Sequence, residues 1–387
     1  MQRNIFIVYI LSFLESAYFW LGSWVFFYLQ FTNYAGIGLA ETGLIVAMVL
    51  GEIPAGAFAD LYGRKKSLIV AFFLLALGGF IMTFTPNYAL LVAGIIISGF
   101  GVAFFSGALE ALAYDSLKEH KREHTYNKVI ANINSVSLVS LALCGAVGGF
   151  LHSIDPKIPF FLSALFWAFG CVVAFFLHEP KIAREKFSLA LFLKQTRSGA
   201  DQLFRTKVIK HIAFVLLGIG AIIVVMDEML NDFLSVEFGY NAAELGLLWA
   251  GIALISAFIS RWLSHSKYYK ASIGTIYFIG LTLALSLILS PVAGMIIGGL
   301  LLLVRFTLQT IFENQASELI NHHSESAYRA TTLSTFNLIR SLPYVFTAYF
   351  LGSMADTYSA IILAFSLGIF LFMYLGITAV LRKRKRL

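Results

Sequence analysis

Twelve stretches of this chain are long and apolar enough to cross a bilayer. They lie at about 5–31, 39–59, 67–84, 88–112, 129–151, 160–177, 211–234, 243–262, 271–289, 291–312, 331–352 and 360–381. A helix needs about 20 such residues to span the hydrocarbon. Backbone groups in lipid must be satisfied within helices or closed barrels, and these runs are continuous rather than alternating at every second residue, so helices are expected. Charged residues make up 13% of the chain and apolar ones 59%, whereas soluble domains carry about 25% charged. The first run is longer than a signal-peptide core and has no small-residue cleavage site, so it reads as a retained span. The predicted fold class is an all-α membrane protein with twelve transmembrane helices.

The net charge of +7 could point to nucleic acid, but its placement points to topology. With a cytoplasmic N-terminus, one side receives Arg3, the 64–66 turn, Lys118 to Lys128, the bases from Lys181 to Lys210, Arg261, Lys267, Lys270, Arg329 and the tail from Arg382 to Arg386. Only Lys157 falls opposite. That asymmetry is the positive-inside pattern, and a missed span would scramble it. Both termini are therefore expected in the cytoplasm. The longest polar stretch divides the chain into a six-helix bundle at 1–177, a linker at 178–210 and a second bundle at 211–387 with a basic tail. Within the linker, Leu189, Phe192, Leu193 and Leu203 among basic residues fit an amphipathic helix on the membrane surface or a solvated connection.

The halves are related to each other. An offset of 203 lays the stretch beginning at Glu41 over that beginning at Glu244, and Glu110 and Asp115 over Glu313 and Glu318. Parallel duplication of six-helix units is a transporter signature, with the site expected between the halves near the middle of the membrane.

Between the second and third runs stands Gly56-Ala-Phe-Ala-Asp60-Leu-Tyr-Gly63-Arg64-Lys65-Lys66. A short hairpin needs a tight reversal, which a glycine at positive φ makes, and the bases hold the turn in the cytoplasm. Asp60, at the membrane edge, needs a partner. This stretch resembles the signature between spans two and three of the major facilitator superfamily, and the span count and duplication fit that family throughout. The segments 106–117 and 329–334 resemble its bacterial drug-efflux-like carriers. The resemblance implies two pseudo-symmetric six-helix bundles. It also implies a conformational latch of Gly56, Asp60, Gly63, Arg64, Lys65 and Asp115, with Asp60 contacting the start of span eleven near 329–332 and Arg64 pairing with Asp115. The equivalent second-half loop, 260–269, has Leu263 in place of the aspartate. Span five carries Cys144-Gly-Ala-Val-Gly-Gly149 without the proline usual in proton-coupled antiporters of this family.

Ionisable residues inside spans cost about 2.5–3.5 kcal/mol on insertion scales and mark pathways or paired groups. Glu15 in span one, Arg305 in span ten and Arg340 in span eleven fall near mid-membrane, with Asp227 and Glu228 in span seven nearer the outer side. Together with Asn337 they are the candidates for substrate binding and proton coupling; structural ion pairing is the alternative for each. Glu110 and Glu313 are candidate gate or packing residues, and Glu52 is assigned an interhelical hydrogen bond.

No H-E-x-x-H, G-x-S-x-G or P-loop pattern occurs, and Cys144 and Cys171 both lie in apolar runs, so no enzyme, metal site or disulfide is expected. No cofactor is called for; the proton gradient is the expected energy source. The expected partners are a small-molecule substrate and the lipid bilayer, without nucleic acid, the chain working as a monomer in a bacterial inner membrane. Alternating access with proton-coupled export of small amphipathic compounds leads the functional expectation. Proton-coupled uptake of a small organic anion, or a transport-inactive membrane sensor, are its alternatives.

Overall fold

In a computed structural model of the protein, residues 2–180, 189–264, 271–325 and 328–385 are described. Lys181, Arg184, Lys186, Lys267, Lys270 and Arg386 lie outside them, as does much of the 260–269 loop. Among the described residues every regular element is helical. Among the described residues, seven helical stretches are long and apolar enough to cross a membrane, and three shorter apolar helices accompany them.

The chain packs as two compact units, Met1–Thr32 with Leu39–Leu189 and Asn241–Gly251, and Asn33–Gly38 with Ala190–Tyr240 and Ile252–Leu387. Along the chain run α1 (Gln2–Glu15), α2 (Trp24–Tyr28), α3 (Tyr34–Tyr62), α4 (Arg64–Thr83), α5 (Tyr88–Phe105), α6 (Ala108–Lys118), α7 (Tyr126–His152) and α8 (Ile158–Ala174). Helix α9 (Leu189–Leu203) falls in the central polar segment. It is followed by α10 (Lys207–Val225), α11 (Asn231–Glu237), α12 (Ala242–Ser264), α13 (Ile273–Ile288), α14 (Met295–His323), α15 (Arg329–Tyr358) and α16 (Ala360–Lys385).

Internal pairing in the two units follows one scheme. In the first, α4 packs on α5 and α8 while α1 packs on α7; in the second, α13 packs on α14 and α16 while α10 packs on α15. These are equivalent helices under the sequence duplication, so the repeat is visible as repeated packing. The core of the first unit gathers Leu11 and Leu14 of α1, Leu68, Phe72 and Leu75 of α4, Leu109 and Leu112 of α6, and Trp167 of α8.

Three expected spans depart from regular α-helix. The first, expected to run unbroken through 5–31, stops being helical at Glu15 and resumes only briefly as α2. Distant side chains take up the backbone groups freed there: Trp167 Nε1 donates to the Glu15 carbonyl at 3.0 Å, and Phe19 N donates to Ser163 Oγ at 3.0 Å. Gly148 of α7 makes room for the break, since a Cβ there would stand 1.6 Å from the Phe19 carbonyl oxygen. The glycine run of span five thus seats an irregular segment of span one. Span four breaks between α5 and α6 at Gly107, whose φ is +69°. Span seven stays helical but widens into a π turn at Met226–Leu230, a local insertion often found at functional positions.

Three carboxylates close the N-termini of helices remote in sequence, where orphan amides and the helix dipole favour negative charge. Glu237 accepts from the amides of Ala360 (2.6 Å) and Ile361 (3.1 Å) at the start of α16. Asp356 accepts from those of Tyr34 (3.0 Å) and Ala35 (2.9 Å) at the start of α3. The third is Glu179.

Candidate functional site

The reversal between α3 and α4 depends on Gly63, which ends α3 with φ +100°. A Cβ there would lie 2.6 Å from the Glu179 carboxyl carbon. Glycine therefore serves twice, supplying the backbone conformation and admitting the carboxylate. Glu179 Oε1 accepts from Arg64 N at 3.0 Å, and its Oε2 accepts from Lys65 N at 2.7 Å. Arg64 Nε donates to Asp115 Oδ2 at 2.9 Å. Asp115 is buried, at 7% exposure, so the guanidinium compensates a carboxylate largely shielded from water. Asp60 is half-buried one turn before Gly63, and Gly56 lies two turns before it. The chain leaving α8 is tied to α1 as well: Asn4 Nδ2 donates to the His178 carbonyl (2.8 Å) and to Ser116 Oγ (2.9 Å), while His178 N donates to Asn4 Oδ1 (2.9 Å).

Glu15 stands at the broken end of α1, half-buried. Tyr18 Oη donates to its Oε1 and Ser16 Oγ to its Oε2, each at 2.9 Å. Glu110 is carried on the first turn of α6, beyond the Gly107 break. The Oε2 of Glu110 is buried, with no hydrogen-bond partner among the described residues. Tyr114 of the same helix packs edge-on against Tyr126 of α7 at 5.2 Å between ring centroids.

The second unit holds a charge-compensated group. Asp227, in the π turn, has Gln309, Glu313 and Arg340 as its polar and charged neighbours. Arg340 pairs with Glu313, and its guanidinium lies over the Phe336 ring at 5.5 Å, a favourable cation–π distance. The Oε1 of Gln309 and the Nε of Arg340 are buried without partners among the described residues. Glu228 adjoins Asp227 in the same π turn, and Asn337 presents an exposed side chain one turn before Arg340.

Arg305 stands apart from this group. It is fully buried, and its hydrogen-bond partners are neutral: Nη2 donates to the Ser286 carbonyl and to Ser290 Oγ, both at 2.6 Å, and Nε to Ser286 Oγ at 3.2 Å. The guanidinium closes the C-terminal end of α13, where cations are favoured.

Of the residues shaping these sites, Glu179, Tyr18 and Ser16 escape sequence reasoning. Glu179 carries one local signal, an acid directly after the end of span six, but its partners lie 114 and 115 residues away. Ionisable groups held inside apolar helical units, one set in each half of a duplicated chain, are what the passage of polar cargo through a bilayer requires. They define a multi-pass membrane transport protein.

The chain belongs to the Major Facilitator Superfamily, whose sequence profile matches residues 5–348. It is 22% identical over 220 residues to Multidrug resistance protein 1 of Bacillus subtilis (strain 168), a match covering 56% of this chain and 53% of that protein. It is also 22% identical over 232 residues to Multidrug resistance protein MdtL of Salmonella heidelberg (strain SL476), covering 58% and 56%. The chain spans about half the length of these curated relatives. Among solved structures, the nucleoside transporter NupG superposes with a TM-score of 0.80 at 15% identity, covering 98% of this chain and 99% of that one. A D-xylose-proton symporter gives 0.70 at 15% identity, covering 97% and 96%. At these identities the likeness shows the shared fold alone.

Proposed function

We propose that the protein is a secondary active transporter working by alternating access, exporting small amphipathic compounds in exchange for protons. The observation that carries this is Glu15, a carboxylate at the broken end of an apolar helix whose two oxygens are held by Tyr18 and Ser16. Such a group can take up and release a proton as its surroundings change between water and protein. Asp227, Gln309, Glu313 and Arg340 form the substrate-facing set in this reading, with Glu228 and Asn337 at its margin. The multidrug-resistance names of the relatives support export. Arg340 is matched by Glu313 and Asp227, and Arg305 is fully buried and engaged by Ser286 and Ser290 at the end of α13, which weighs against uptake of an organic anion, since an anion needs an accessible positive group.

In the same reading twelve spans form two bundles, at 1–177 and 211–387, in a bacterial inner membrane, and the monomer is the working unit. The placement of the bases supports a cytoplasmic Gly63 turn and cytoplasmic termini. There Arg64, Asp115 and Glu179 hold the turn as part of the latch, with Gly56, Asp60 and Lys65. The test is transport by purified protein in proteoliposomes under an imposed pH gradient, with ethidium as the cationic probe and benzoate as the anionic one. Ethidium moving against its gradient, with protons moving the opposite way, supports the reading. Benzoate movement alone favours uptake, and movement of neither favours the sensor.

A further inference from the structure

We propose that Asp356 is a releasable lock on the outer end of α3, holding the first turn of that helix in the second unit until the carrier opens outward. This deepens the reading of the protein as an alternating-access carrier with a cytoplasmic Gly63 turn, and rests on it. Residues Asn33–Gly38 pack with the second unit, whereas α3 from Leu39 onward packs with the first. The Asp356 carboxylate, near the end of α15, accepts from the amides of Tyr34 and Ala35 at 3.0 and 2.9 Å. The centroid of the Tyr34 ring lies 4.1 Å from that of the fully buried Phe233 in α11. Beneath these contacts the backbones touch. A Cβ on Gly352 would stand 2.3 Å from the Tyr34 carbonyl oxygen, and one on Gly38 would stand 2.4 Å from that of Ala348, an approach that only the smallest residues permit.

The same crossing occurs once more, without the acid. Helix α12, the counterpart of α3 under the offset of 203, starts in the segment Asn241–Gly251, which packs with the first unit. There α7 takes the place of α15. A Cβ on Gly149 would lie 2.5 Å from the Ala242 carbonyl oxygen, and one on Gly246 would lie 2.6 Å from that of Gly145. Gly145 and Gly149 are the counterparts of Ala348 and Gly352, but the counterpart of Asp356 is Ser153. The start of α12 is closed from within: Asn241 N donates to Glu244 Oε2 and Glu244 N to Asn241 Oδ1, each at 2.9 Å. Close backbone packing is thus common to both crossings and needs no distant carboxylate. Asp356 adds to one of them a hold that the crossing geometry does not require.

That hold can be released at small cost. Asp356 is exposed, so water replaces the two amides as it lets go. Asn33 Oδ1 accepts from Gly36 N at 3.0 Å, a cap from the chain's own N-terminal side that keeps the first turn of α3 helical when the acid departs. Alternating access parts the outer ends of the spans once per cycle, and the start of α3 cannot leave α15 while Asp356 holds its amides. Glu237 is the static counterpart. It closes the start of α16 through two amides in the same way, but α11 and α16 both lie wholly within the second unit and have no need to part.

The test is the separation of spin labels on Leu39→Cys and Ile296→Cys, two exposed positions near the starts of α3 and α14. It is measured by pulsed electron paramagnetic resonance on the full-length protein in nanodiscs, with Cys144→Ala and Cys171→Ala removing the native thiols. No substrate is needed, so the outcome is separable from that of the transport assay. Asp356→Ala is expected to raise the ratio of longer to shorter separations about five-fold, the weight of one helix cap. Asp356→Asn keeps an acceptor oxygen without the charge; it should raise the ratio less, and it reads the same effect if Asp356→Ala folds poorly. Glu237→Ala is expected to lower the unfolding temperature and leave the ratio unchanged. An unchanged ratio in the Asp356 variants, an equal rise in Glu237→Ala, or failure of both Asp356 variants to fold overturns the proposal. A protein whose ratio shifts as expected yet moves neither ethidium nor benzoate leaves the lock standing and removes the transport reading instead.

Discussion

Arg64 Nε stands 2.9 Å from Asp115 Oδ2, fastening the first residue of α4 to the last turn of α6. Arg64 is one-quarter exposed and Asp115 only one-tenth, so the pair is asymmetric: the acid depends on the base more than the base on the acid. Arg64→Ala therefore leaves a buried charge uncompensated. The expected loss is about 2 kcal/mol, of the order of an orphaned buried polar group. Asp115→Ala is expected to cost less. Thermal unfolding of the detergent-solubilised variants ranks the two. Reversal of both charges, Arg64→Asp with Asp115→Arg, is expected to restore ethidium transport lost in either single reversal; a double variant no better than the singles contradicts the pairing's role in transport.

Glu179 closes the two leading amides of α4. Glu179→Ala is expected to cost about 1 kcal/mol, as loss of an N-terminal cap does. That corresponds to roughly five-fold faster hydrogen exchange at Arg64 and Lys65 where opening is local. Glu179→Gln keeps an acceptor oxygen and should lose less. Exchange at the start of α4 that is unchanged in Glu179→Ala contradicts the cap.

How far these features can be read from sequence depends on the distance over which their partners act. Long apolar runs, the bias of bases to one side and the spacing of Asp60, Gly63 and Arg64 are local or cumulative, and they give the helical class and family. The break after Glu15 is not local. Nothing between Ser16 and Ser23 forces a helix to stop, and the groups that satisfy the broken backbone, the accepting Ser163 and the donating Trp167, come from 144 and 152 residues away. Arg305 shows the same limit from the other side. An arginine in a span signals a special environment, but only packing reveals that its hydrogen-bond partners are two serines.

Gly148 offers a steric check on the broken span. With its Cβ position 1.6 Å from the Phe19 oxygen, Gly148→Ala requires a backbone shift and is expected to reduce the folded, monodisperse fraction severely. Gly251→Ala is the control, since nothing lies within 4 Å of a Cβ there. Size-exclusion profiles after extraction separate the two. Equal yields contradict the close approach.

Arg305 and Arg340 should fail in different ways. Arg305→Ala strips the Ser286 carbonyl and Ser290 hydroxyl of their donor inside a packed end of α13. A loss of about 3 kcal/mol is expected, with a large fall in unfolding temperature. Arg340→Gln removes a charge from a partly open group and should lower ethidium transport with little change in unfolding temperature. The reverse pattern would assign the substrate-facing role to Arg305.

Ethidium accumulation by wild-type and Glu15→Gln protein, compared in the same proteoliposomes with and without a pH gradient, bears most directly on Glu15 as the proton carrier. Wild-type protein is predicted to drive ethidium uphill when the gradient is imposed and to exchange it when the gradient is absent. Glu15→Gln is predicted to retain exchange and lose uphill movement. Gradient-driven accumulation that survives in Glu15→Gln would contradict the account.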